Sequence, residues 1–286
     1  MTERLQYIDN AKGVMMLLVV FHHVAWSVCN IGIENDVFTF IRGYRYVYIN
    51  FFMAFFFVIT GYCSNFDKPV GNFVLSRVKS LLVPHILLLP LLMTMYGARS
   101  GYLHAYTHYC YGIWFLTAMF FAVVGYCFIN KFSAMIHVRH QMSVNIILAL
   151  ICALLAIYLS NHHLKYNYWN WMQGMILMPF IPLGQIVRKY DLSKYAYAIA
   201  GFWILYQLLY KNKVSWVMNT IDVSLSGYCI MIIVSLAVSI SLLNGCKRIQ
   251  SRVLKYVGKN ALVIYLFHIP ICCILANLLY GSIESA

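Results

Sequence analysis

The chain has 286 residues, of which 62% are apolar and 10% charged, with a mean hydropathy of +0.73, and a water-soluble fold cannot hide that much apolar surface. Its 21 Lys and Arg against 8 Asp and Glu give a net charge of +13, which in a soluble protein would suggest a nucleic-acid partner. The basic residues instead lie between apolar runs that recur along the whole chain, so the composition excludes a soluble module and predicts one integral-membrane domain over residues 1–286.

Nine apolar runs reach or approach the roughly 20 helical residues needed to cross a hydrocarbon core about 30 Å thick. In chain order they are Gly13 to Asn30, Val47 to Ser64, Leu81 to Gly97, Gly112 to Asn130, Val144 to Ser160, Trp171 to Val187, Tyr195 to Tyr210, Leu225 to Leu243 and Ala261 to Leu279. They are continuously apolar rather than alternating, which favours helices over a barrel. The expected fold is therefore all-α, a polytopic transmembrane bundle of about nine spans. Eight or ten are admissible, because the short sixth and seventh runs allow a tilted, broken or re-entrant element.

With a cytoplasmic N-terminus, the inner loops carry 15 of the 21 basic residues and the outer loops 6, a positive-inside bias that sets the orientation. Tyrosines at run ends, such as Tyr62, Tyr111, Tyr190 and Tyr210, fit interfacial belts. Two adjacent histidines in the first run, and eight further runs behind it, argue against a cleaved signal peptide. The nine cysteines form no C-x-x-C and lie mostly within apolar runs, as small buried hydrophobes do.

All eight carboxylates fall outside the predicted spans, which leaves histidines as the ionisable groups within them: His22 and His23 in the first, His85 near the start of the third, His268 in the ninth. Such groups are expensive in lipid and mark a functional site unless they are neutral imidazoles bonded to a neighbouring helix. Lys12 and His23 are eleven residues apart, so they share a helical face with roughly 16 Å of rise between them. Asp9, one turn before Lys12, is placed to pair with it. A cation at the mouth and an imidazole deeper in suit a long anionic ligand, although a flanking Lys is also what orientation alone requires. His268 is expected within roughly 5 Å of the depth of His23. Pro270, two residues on, cannot donate to the carbonyl of Leu266 and leaves an acceptor open nearby.

Two other functions compete. A transporter or flippase would also have many spans, a broken helix and buried histidines, but no carboxylate is embedded for ion coupling and no inverted repeat is evident. A metal site would use His104 with His108, or His162 with His163; neither has an acidic or Cys ligand beside it.

The opening Tyr7-Ile8-Asp9-Asn10-Ala11-Lys12-Gly13, followed by an aliphatic run into His22-His23, resembles the start of the acyltransferase family 3 membrane proteins, in the branch related to fucose and polysaccharide O-acetylases. Phe55 to Tyr62 is similar to the family's second span, and Arg77 to Pro84 to its basic loop before the third. Trp114-Phe115-Leu116 and Met178 to Gly184 resemble its central spans, and Gly258 to His268 its closing one. The resemblance thus runs in order over almost the whole chain. It departs at His22, where relatives commonly have a small residue, and in lacking the Ser-x-Glu element of the O-antigen-modifying branch after Trp114. The chain is also short for a family usually assigned ten or more spans.

The resemblance implies transfer of an acyl group, most often acetyl from acetyl-CoA, to a hydroxyl of a cell-surface sugar or polysaccharide. It makes His23 the essential histidine and Lys12 its accompanying basic residue. An imidazole is suited to take the proton of an acceptor hydroxyl, so His23 is expected as general base, or alternatively as a covalent acyl carrier, with His268 the second catalytic candidate. Lys12, Arg77 and Lys79 are the candidates to hold the phosphates of CoA; retention of orientation and contact with anionic lipid explain them equally well. The expected partners are the lipid bilayer, an acyl-CoA donor and a glycan acceptor, with no nucleic acid, no metal and no permanently bound cofactor. The expected location is a bacterial inner membrane.

Overall fold

The computed structural model describes residues 6–30, 47–49, 51–95, 113–136, 139–162, 168–210 and 224–284, and among them every regular element is a helix. In chain order these are α1 (Gln6–Asn30), α2 (Phe52–Cys63), α3 (Val70–Arg77), a π-helical turn (Val78–Leu82), α4 (Val83–Met95), α5 (Trp114–Met135), α6 (Gln141–Asn161), α7 (Trp171–Leu177), α8 (Phe180–Lys189), α9 (Ser193–Tyr210), α10 (Leu225–Cys246), α11 (Arg252–Lys259) and α12 (Ala261–Glu284). Among the described residues, four helical stretches are long and apolar enough to cross a membrane: Val70–Leu92, Trp114–Met135, Gln141–Asn161 and Leu225–Cys246. Phe52–Cys63 and Ala261–Cys272 are shorter apolar helices. The all-α membrane bundle expected from the sequence is the fold observed.

The chain divides into two compact units. The first comprises Met1–Phe52, Leu192–Val214 and Ile233–Ala286. Here α1 lies against α11 and α12. The α1–α11 contact is backbone on backbone: a Cβ on Gly13 would collide with the carbonyl of Leu254, and one on Gly258 with the carbonyl of Asp9. Only hydrogen at these two positions permits so close an approach. The short α11 starts at Ser251, whose hydroxyl accepts from the Leu254 N–H at 3.2 Å, and presents Val253 and Tyr256 outward. The Asn10 amide closes the same end, donating to the Ile249 carbonyl at 2.6 Å.

These contacts correct two expectations. The first helix begins at Gln6 rather than Gly13, and Asp9 is not in a tail: it sits within α1, 2% exposed. Hydropathy misplaces this boundary because the first turns of α1 bury themselves against α11 and not against lipid. The segment before the ninth span, expected to be loop, is α11 itself.

The second unit comprises Met53–Asp191 and Ser215–Ile232. Its core is α5, packed on α6 and α7, with Ala149, Ala153 and Ala156 of α6 almost wholly buried, a spacing of four and three that keeps one helical face. Where α2 meets α8, Gly61 lies against the Ile181 carbonyl and Gly184 against the Val58 carbonyl, a reciprocal glycine crossing of the kind that lets transmembrane helices approach closely. Phe56 and Phe57 of α2 pack edge to face on Phe115. Tyr126, Gln185, Asn145, Asn130 and Ser133 form a hydrogen-bonded cluster joining α5, α6 and α8.

The sixth run is broken, as its length allowed. Pro179 has no N–H and the turn at Met178 tightens, its N–H reaching Met175 O at 3.2 Å. The third run is corrected: the chain is helical from Val70, eleven residues before the predicted start, and so Arg77 and Lys79 lie on a helix and not in a loop. The helix continues past Pro84 by widening just before it, with the Val83 N–H bonded to Val78 O five residues back.

Candidate functional site

His23 sits on α1, which α11 and α12 hold in place, and His268 on α12. Their imidazole centroids are 4.8 Å apart at an interplanar angle of 62°. His268 is 4% exposed, and its Nδ1 lies 2.6 Å from the Tyr265 carbonyl. A carbonyl only accepts, so Nδ1 carries the proton and Nε2 is the nitrogen with the lone pair. Nε2 is buried without a hydrogen-bond partner among the described residues. His23 is half-buried and forms no hydrogen bond among them.

His22, one residue and about 100° away on α1, faces elsewhere. Its Nδ1 lies 3.3 Å from the Tyr48 hydroxyl, and its ring packs on Tyr48 and Phe52. The two adjacent histidines touch each other at 5.3 Å between centroids but differ in their other partners: His22 meets a phenol and a phenyl ring, and His23 meets the imidazole of His268. Pro270 is accommodated inside α12.

Sequence reasoning missed Gln207 in this unit. It is 1% exposed, with neither amide atom hydrogen-bonded among the described residues. It follows Trp203 by one turn, and the Trp203 indole donates to Val47 O at 3.1 Å, next to the Tyr48 that contacts His22. A polar residue among exposed aliphatics of a short apolar run was the available signal.

The three basic residues expected at the donor are not equivalent. Lys12 belongs to the first unit, half-buried on α1, one turn after the buried Asp9. Arg77 and Lys79 belong to the second unit and point to different sides of their helix. Arg77 turns inward, stacking over Phe73 at 4.9 Å and donating to Ser64 Oγ at 3.3 Å. Lys79 is exposed and, with Asn72, Leu75, Ser76 and Ser80 along one face of the same helix, borders a shallow, open surface groove. Hydroxyl, carboxamide and ammonium donors along one groove can receive an anion such as a phosphate; Arg77 keeps a buried Nε with no hydrogen-bond partner among the described residues.

The remaining sequence candidates fall elsewhere. His104, His108 and His163 lie outside the described residues. His162 stacks on Tyr158 at 4.2 Å, with its Nδ1 3.0 Å from the Tyr158 carbonyl. No group of three His, Cys, Asp or Glu side chains among the described residues is arranged to hold a metal ion. Trp114 is buried at the start of α5.

The geometry amounts to a half-buried and a buried imidazole in contact, the second bonded through Nδ1 to a backbone carbonyl, in a helical membrane protein. Compared with known proteins, residues 5–284 match the acyltransferase 3 family model, described as an acyltransferase domain. No curated protein and no solved structure matches the chain.

Proposed function

Because the chain belongs to acyltransferase family 3 and is a membrane acyltransferase, we propose that it moves an acetyl group from acetyl-CoA to a hydroxyl of a cell-surface sugar or polysaccharide, with His23 as general base. The observation that carries the role of His23 is its ring contact with His268. An acceptor hydroxyl is a poor nucleophile near neutral pH and gains from a base that removes its proton as it attacks. In the proposed step the hydroxyl oxygen bonds to the thioester carbonyl carbon and its proton passes to His23. The carbon–sulfur bond then breaks, and the CoA thiolate takes a proton.

The tautomer of His268 narrows its part. With Nδ1–H committed to Tyr265 O, neutral His268 offers a lone pair and not a donor at Nε2. It can accept a hydrogen bond from the acceptor hydroxyl or from the imidazolium of His23 as that charge forms. Polarising the acyl carbonyl would require a donor there. His268 is therefore an orienting and charge-stabilising partner of His23.

Lys12, on the face of α1 that carries His23, and Lys79, in its groove, are the residues we assign to the phosphates of CoA, in an N-in orientation that places them on the cytoplasmic side of a bacterial inner membrane. Arg77, held by Phe73 and Ser64, positions the helix that carries Lys79.

The experiment is acetyl transfer by the purified chain in lipid nanodiscs, from radiolabelled acetyl-CoA to a panel of glycans, compared with acceptor-free hydrolysis. Label appearing on the glycan, alkali-labile as an O-ester, is the expected result. Label confined to an amine, or donor untouched with and without acceptor, would overturn the assignment.

A further inference from the structure

The second unit holds polar side chains that transfer at His23 and His268 leaves unused. His85, expected near the start of its span, sits deep in a helix that begins at Val70. It is fully buried, and neither ring nitrogen has a hydrogen-bond partner among the described residues; the Ile113 backbone approaches the ring short of hydrogen-bond geometry. The half-buried Trp169 ring lies 6.4 Å from it at 51°.

Trp169 and its neighbour Asn170 both adopt left-handed backbone conformations, with φ of 55° and 56°. Two such residues in succession, neither of them glycine, are costly and persist only where their surroundings impose them, commonly at ligand clamps. Asn170 is 7% exposed, and its amide nitrogen is buried without a partner among the described residues. His85 near the Trp169 ring, and Asn170 beside Trp169 in the chain, thus carry unsatisfied nitrogens on two buried side chains, which an occupant able to donate and accept would satisfy.

We propose that His85, Trp169 and Asn170 form, within the second unit, a binding subsite for a hydroxyl-rich ring, a sugar unit of the acceptor glycan; it rests on the sugar-directed transfer proposed above. A sugar ring has an apolar C–H face that stacks on indole and a rim of hydroxyls that donate and accept at once. A neutral imidazole has one nitrogen of each kind, and a carboxamide nitrogen donates. None of the three carries a fixed charge, so the subsite suits a polyol and not the phosphates of the donor.

The test uses the full chain in nanodiscs with acetyl-CoA and a panel of methyl glycosides and oligosaccharides, with acceptor KM, donor KM, kcat and acceptor-free hydrolysis measured separately. Trp169→Ala and His85→Ala should each raise acceptor KM by about tenfold, leaving donor KM and hydrolysis unchanged. Trp169→Tyr and His85→Gln keep a stacking face and a hydrogen-bonding tip and should recover most of that loss. Where the Ala variants fail to fold, the conservative pair decides: a rise of about threefold supports the subsite, and an unmoved acceptor KM overturns it. Lower thermal stability with a wild-type acceptor KM would make these packing residues and overturn the subsite while transfer to sugar stands. A wild type that hydrolyses acetyl-CoA but acetylates no member of the panel would overturn the sugar acceptor, and the subsite with it.

Discussion

The imidazoles of His23 and His268 meet at 4.8 Å between centroids although 245 residues separate them in the chain, which follows from 268 minus 23. Contact makes the two side chains one unit, whereas His22, which touches His23 at 5.3 Å, has Tyr48 and Phe52 as its other partners. Three single substitutions should therefore give three different outcomes in one acetyl-transfer assay. His23→Ala should lower transfer at least about a hundredfold with folding and donor binding retained. His268→Ala should fall between, because it removes the acceptor nitrogen that orients the hydroxyl or steadies the imidazolium. His22→Ala should cost less than about tenfold, chiefly through lost packing. Near-normal transfer by the His23 variant would end its assignment as base.

Lys12 and Lys79 are assigned to the same ligand chemistry but differ in setting, one half-buried on α1 and the other exposed on an open groove. A phosphate contact remote from the reacting carbonyl contributes mainly uniform binding, so it appears in donor KM rather than in turnover. Lys12→Ala and Lys79→Ala should each raise the KM for acetyl-CoA severalfold at unchanged kcat, with the Lys79 effect fading as salt is added because that site is open to screening. A fall in kcat at constant donor KM would show that Lys12 supports the helix carrying His23 instead.

The long apolar runs, their helical nature and the break in the sixth were legible in the sequence because each is a local property: run length, continuity and a proline pair. The similar depth of His23 and His268 was legible too, from two spans of like orientation; their contact was not, because depth does not fix which helices are neighbours. What was not legible depended on partners distant in the chain. Asp9 reads as a tail residue until α11 covers it. The helix before Leu81 reads as loop because its residues are mixed in character, and only tertiary packing makes it helical from Val70. Arg77 and Lys79 look alike as adjacent cations, yet two positions are about 200° of helical rotation; Phe73 and Ser64 claim one of them, and the other faces the groove. The left-handed backbone at Trp169 and Asn170 has no sequence signature beyond the tolerance of Asn for that region.

Gly258 and Gly13 hold α1 against α11 at backbone contact, and the neighbouring atoms are carbonyls that cannot rotate away. Gly258→Val should therefore force the helices apart, lowering stability by about 1–3 kcal/mol or more and lowering transfer as well, because α1 carries His23. Gly201, in α9, has nothing within 4 Å of its would-be Cβ, and Gly201→Ala should raise stability by about 0.5–1 kcal/mol through helix propensity. Thermal unfolding of the two variants in the same detergent checks both signs at once.

Charge predicts the orientation, and the internal contacts agree with the order of inner ends that it requires. Residue 67 and Lys131, both expected on the inner side, meet through a hydrogen bond from Lys131 Nζ to the Asp67 carbonyl at 2.8 Å. Asn10 and Ile249, also both expected inside, are joined at 2.6 Å. These contacts require each pair to share a side without saying which side. The 15-to-6 distribution of basic residues predicts the cytoplasm. In a background with the nine native cysteines replaced, Lys68→Cys and Lys194→Cys should be closed to a membrane-impermeant maleimide in intact cells and react only after permeabilisation, whereas Lys211→Cys should react from outside. Labelling of Lys68→Cys in intact cells would place the Lys79 groove, eleven residues away on the adjoining helix, outside. Cytoplasmic acetyl-CoA could not then reach it, and the donor role of Lys79 would fall while the pairing of His23 with His268 stood.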